Sequence, residues 1–134
     1  MQITSTQADA ILHAAKSKAT EIGIAASIVV MDSGGNLKAF SRMDGAWLGS
    51  IDVAMKKAKT SVLFEVETQM LWEFSKPDGQ AHGIESTNEG LVSFAGGIPL
   101  KGADGQLLGA IGVSGGQVAQ DYEVARAGLT ALAA

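Results

Sequence analysis

Apolar residues recur at helical spacing over residues 4–22, where Ala8, Ile11, Leu12, Ala15, Ala19 and Ile22 form one stripe. Thr4 followed by Gln7 is a capping-box pattern, Ile3 is placed to staple onto Ala8, and Gly23 supplies a left-handed stop. The pattern then changes. Residues 25–32 are apolar and rich in Ile and Val, which predicts a buried strand. Asp32 to Asn36, with Gly34 and Gly35 between, predicts a turn, because Gly and Asn accept positive φ. Leu37 to Met43 returns as the partner strand, and Asp44-Gly45 breaks it.

Helical spacing resumes over residues 47–64, with Ile51, Ala54, Met55, Ala58 and Val62 on the apolar stripe and the lysines off it. Residues 67–75 predict a short helix with Met70, Leu71 and Phe74 inward, ended by Pro77 and Gly79. Residues 76–91 form a polar loop holding His82, Glu85, Asn88 and Glu89, and a short strand is expected near Leu91–Phe94. A second hairpin spans residues 97–116 and turns at Ala103–Gln106. Gly109 and Gly112 within it mark close backbone approach or a bulge. The last helix covers residues 118–132, with Val118, Tyr122, Ala125, Leu129 and Leu132 inward. Two hairpins interleaved with helices predict an α+β fold: a two-layer sandwich, an antiparallel sheet of about five strands with helices packed on it.

The chain of 134 residues fits one domain, 1–134, large enough to bury about two thirds of its unfolded surface. It has no Cys, which excludes disulfides, thiolate metal sites and Cys nucleophiles. Its net charge is −4, and the cluster Lys56, Lys57, Lys59 is flanked by Asp52 and Glu65, which argues against a nucleic-acid partner. There is no membrane span of about 18 apolar residues and no basic, then apolar, leader. A cytoplasmic protein is expected, although a secreted form stripped of its leader would read the same. With 17 Gly and only 5% aromatic residues, the core must pack through close backbone approach, and broad Ala/Gly faces favour a homo-oligomer.

Several segments resemble the GlcG/HbpS-like haem-degrading family: Val29–Leu37, Phe40–Ala46, Ser50–Ala58, Gly96–Leu100, Gly109–Gly116 and Ala125–Leu129. They occur in order over nearly the whole chain, and the C-terminal domain of the PduO corrinoid adenosyltransferase is similar too. The resemblance implies a profilin/PAS-like fold, homo-oligomers, and haem as cofactor, with haem degradation or haem sensing in some members. Fold and family do not by themselves settle function.

Haem iron takes His, Met, Cys or Tyr as axial ligand. His13 lies beside the apolar stripe of the first helix, and the resemblance implies a first-helix histidine, so His13 is the candidate ligand. Arg42, at a strand end, can clamp a carboxylate or a haem propionate, or serve a structural ion pair. Ser114 and Gly115, ahead of Gly116, end a strand and precede a helix, so their amides can cradle an anion or simply make a tight turn. They form neither a Walker loop nor a nucleophile elbow. His82 with Glu85 and Glu89 matches no established metal-ligand spacing. Asp44 reads as a turn former and Asp52 as a first-turn helix acid. Trp47, Trp72 and Phe74 suit a pocket wall, the core or an interface.

Three functions stay open from the residues. One is haem binding. Another is an enzyme acting on a small carboxylic acid or aldehyde, with Arg42 as clamp and His82 or Asp52 as acid/base. The third is a non-catalytic oligomeric partner protein.

Overall fold

The computed structural model describes residues 2–133. Helix α1 spans Ser5–Ile22 and is capped as the sequence predicts: Gln7 N–H donates to Thr4 Oγ1, and Thr4 N–H donates to Gln7 Oε1. Gly23, at φ 80°, closes it in the left-handed conformation. Strands β1 (Ser27–Asp32) and β2 (Leu37–Arg42) form the first hairpin. Helix α2 covers Ser50–Phe64, starting three residues after the predicted position. A 3-10 turn at Thr68–Leu71 runs into the one-turn helix α3, Trp72–Ser75. Strands β3 (Gly97–Lys101) and β4 (Leu107–Ser114) form the second hairpin, and α4 runs from Val118 to Ala133.

All four strands lie in one antiparallel sheet, ordered β2-β1-β4-β3. The α+β class and the antiparallel sheet are those expected, but among the described residues there are four strands rather than about five. Leu91 and Val92 are buried without joining a ladder. The Val92 amide instead donates to Thr60 Oγ1 on α2, so a helix side chain takes the bond that a strand neighbour would have made.

Strand alternation sorts the core into two faces. Ile28 and Val30 pair with Val113 and Ile111 and pack with Ile11, Ala15 and Ala19 of α1 and Val124 and Ala125 of α4. Val29, Met31 and Ala110 point the other way, against Ala54, Ala58 and Val62 of α2. Helices therefore cover both faces, giving three layers where the sequence suggested two. Burial on both sides explains why β1 reads as an unbroken apolar run instead of an alternating one. The α2 layer sits unusually close. A Cβ on Gly112 would run into the Ala54 carbonyl and the Ala58 amide, so only glycine lets the helix backbone rest on β4.

Other inward assignments need correction. Lys57 is fully buried, not off the stripe of α2. Met70 and Phe74 are half exposed and only Leu71 of that trio is buried, because the segment begins with 3-10 geometry and a 3.6-residue period misplaces its faces. Val118, at the first turn of α4, is likewise half exposed.

Candidate functional site

The sheet register gathers three residues in one row at the end of the sheet. Ser27 pairs with Arg42 on one side and with Ser114 on the other. Directly opposed residues share a face, and the buried Ser27 hydroxyl lies 2.8 Å from Ser50 Oγ at the start of α2. Arg42, Ser27 and Ser114 therefore all belong to the α2 side. Next to the row, Trp47, Leu48, Ser50, Ser114, Gly115 and Gly116 line an open groove of about 550 Å³, with the Trp47 indole 79% exposed.

Behind this groove lies a buried ion pair absent from the sequence reading. Lys57 Nζ lies 3.1 Å from Asp121 Oδ2 and donates to the Val113 carbonyl at 2.8 Å. It also stands 5.0 Å from the centre of the Phe94 ring. Asp121 Oδ1 accepts the Gly116 amide at 2.8 Å, and the Gly115 amide adds to it. Burial pulls the Lys57 pKa below its ordinary value, opposed by the attraction of Asp121. Burial likewise raises that of Asp121, opposed by Lys57 and the glycine amides.

The Gly115–Gly116 amides thus face a carboxylate of the chain itself. Asp121 clamps the second glycine of the pair, so the Gly116 amide is engaged within the chain. One signal for this was present in the sequence: an acid in the first turn of a helix that follows two glycines. The lysine gave none, since Lys56 beside it is a surface residue paired at 3.1 Å with Asp52.

His13 stands elsewhere. It is exposed on the outward side of α1, and α1 packs on the sheet face opposite to that of Arg42 and Ser114. With Lys16, Ser17, Thr20 and Glu21 it lines a shallow groove of about 490 Å³. The structure therefore groups Arg42, Ser114 and Gly115 at one end of the sheet and separates them from His13. Arg42 is exposed and makes no ion pair among the described residues. A larger cleft of about 930 Å³ runs between β3 and the end of α4, lined by Ile98, Pro99, Leu108, Leu129 and Leu132, but its walls hold no His, Met, Tyr or Cys to ligate iron.

His82, Glu85 and Glu89 do not converge, and among the described residues no three His, Asp or Glu side chains are placed to hold a metal ion. His82 Nδ1 lies 2.9 Å from the Ser75 carbonyl. Ser93 Oγ donates to Glu85 Oε2 at 3.0 Å. Trp72 and Phe74 are half exposed, on the surface rather than in the core.

This arrangement of four strands and flanking helices is shared with known proteins. The model of the family described as "Haem degrading protein HbpS-like" matches residues 3–130. The chain belongs to the HbpS-like family. Among its HbpS-like relatives, protein GlcG of Escherichia coli is 37% identical over 112 residues, covering 84% of this chain and 81% of GlcG. The crystal structure of Klebsiella pneumoniae protein ORFY superposes with a TM-score of 0.96 at 34% identity, covering all of this chain and 93% of that one. A structure described as the PduOC:heme complex superposes at 0.93 with 31% identity, covering 98% of this chain and 95% of that one. The HbpS-like fold is therefore kept from end to end, and no helix among the described residues is long and apolar enough to cross a membrane.

Proposed function

We propose that this HbpS-like chain is a cytoplasmic haem-binding protein that works as a homo-oligomer, with His13 as axial ligand. The likeness to PduOC, a protein solved with haem, over nearly the whole of both chains carries this reading. The residues present suit the group. His13 offers an unencumbered imidazole, a common axial ligand. Lys16, one turn along the same groove, offers a cation for a propionate. Bound haem would supply iron redox chemistry that no side chain here provides.

The α1 groove is open and shallow, so a macrocycle held there by His13 would keep much of its apolar surface in water. A second copy of the chain is the cover we infer, which is why haem binding and oligomerisation are proposed together. Arg42, Ser114 and Gly115 lie across the sheet from His13 and have no part in this half-site. Haem degradation or sensing would build on the same ligation.

Hemin titration followed by absorbance tests the proposal, with an unrelated protein as control for nonspecific adsorption. The expected result is a saturable Soret band, weakened about tenfold or more by His13→Ala, with a rise in mass by light scattering. A titration that never saturates overturns haem binding. A saturating titration unchanged in His13→Ala removes His13 as the ligand, and an unchanged monomer mass removes the shared site.

A further inference from the structure

We propose that the Thr68–Ser75 turn is an interface between two copies of this chain, related by a two-fold axis. Thr68, Leu71 and Ser75 are the buried side of the turn, which packs on α2 and β3. Its outer side is a ridge between two apolar hollows. Met70 and Phe74 join Phe64 and Ile84 around one, of about 230 Å³. Trp72 joins Phe94 and Val118 around the other, of about 410 Å³.

The exposed area suits a second copy. Phe64, Met70, Trp72, Phe74, Phe94 and Val118 are each between 39% and 54% exposed. At about 150–250 Å² for a large side chain, they leave about 400–700 Å² of apolar surface in water. A standard interface takes about 800 Å² from each partner, and in homodimers about 65% of it is apolar, so about 500 Å² is needed. The composition also fits, since aromatic residues and Met are enriched in interface cores.

Charge selects the occupant. The ridge and the residue after it carry one acid and one base, Glu73 and Lys76, 3.5 Å apart, with the Glu73 side chain 69% exposed. Two ridges crossed antiparallel set Glu73 of each copy against the partner's Lys76. Two-fold symmetry repeats that contact in both directions, so each charge gains an opposite neighbour. A wholly acidic or wholly basic partner would oppose one of the two. The nearest other acid, Glu67, accepts from Gln69 Nε2 at 2.7 Å. The His13 groove lies on α1, across the sheet, so this contact does not rest on haem.

Sedimentation velocity of the haem-free protein tests the proposal. The mass should rise from monomer toward dimer between about 1 and 100 µM, the range of a micromolar Kd. Trp72→Ala, Glu73→Lys and Lys76→Glu should each weaken dimerisation about tenfold or more. Glu73→Lys and Lys76→Glu each set like charges together in their own dimers. Mixed in equal amounts they should form a mixed dimer of nearly wild-type affinity, which also shows that both variants are folded. A wild type that stays monomeric at every concentration overturns the proposal. So do variants that dimerise as the wild type does, which would put the contact elsewhere on the surface. A mixture no tighter than either variant alone overturns it too, because the turn would then meet a different surface.

Discussion

The ammonium of Lys57 and the carboxylate of Asp121 meet 3.1 Å apart in full burial, although they come from helices on opposite sides of the sheet and lie 64 positions apart in sequence. The contact closes over the end of β4, since Lys57 also holds the Val113 carbonyl and Asp121 also holds the Gly116 amide. One pair therefore ties both helical layers to the same strand end. Its net contribution to stability is modest, because desolvating two charges offsets most of their attraction. Breaking it is another matter.

Asp121→Asn keeps an acceptor for Gly116 but leaves the Lys57 ammonium buried and unpaired. The expected loss is about 3–5 kcal/mol. Urea unfolding of Asp121→Asn, Lys57→Met and the double variant measures it. The double variant should lose clearly less than the sum of the single losses. Strict additivity would show that the two groups are not coupled.

Thr68 bridges the approach to β3, donating to the Phe94 carbonyl at 2.6 Å and accepting the Gly97 amide at 3.0 Å. Thr68→Val preserves shape and removes both bonds. A loss of about 1–3 kcal/mol is expected for each buried group left without a partner. Faster hydrogen exchange at the Gly97 amide should accompany the loss of stability.

Gly112→Ala pushes a methyl group against the backbone of α2 at Ala54 and Ala58. Overpacking of this kind costs about 1–3 kcal/mol, and the upper end is expected because the obstacle is main chain. Thermal melting checks it. A melting temperature equal to that of the wild type would show that α2 is free to slide.

Burial works to raise the Glu85 pKa, but its own amide and the Ser93 hydroxyl outweigh it and hold the carboxyl below its ordinary value. The unfolded chain then takes up the proton first as pH falls. The stabilisation from Glu85 is present above about pH 4.5 and is lost as pH drops through the folded-state pKa. The stability difference between wild type and Glu85→Gln should be constant from neutral pH to about 5 and shrink below about 4.5. A difference independent of pH would refute the assignment.

Local chemistry made most of the fold legible. Thr4 and Gln7 cap α1 because capping needs only neighbours, and Gly23 stops it for the same reason. The turn at Asp32 is held by its own carboxylate accepting the Gly34 and Asn36 amides, again a matter of adjacent residues. The candidate site was legible in parts. Register brought Arg42 and Ser114 together at one end of the sheet, whereas His13 went to the other side, because α1 crosses the face opposite to α2. No spacing along the chain encodes that choice of face.

By itself, the sequence determined the helices and hairpins and the antiparallel α+β class, since each depends on periodicity, caps and turn residues within a few positions, and its ordered motifs carried the resemblance to the family. Tertiary structure decided which lysine is buried. Lys56 and Lys57 are adjacent and chemically alike, yet only Lys57 meets a carboxylate and a strand carbonyl supplied from more than 50 residues away. A charge enters the interior only where the assembled fold brings it partners, and that meeting exists nowhere in the linear chain.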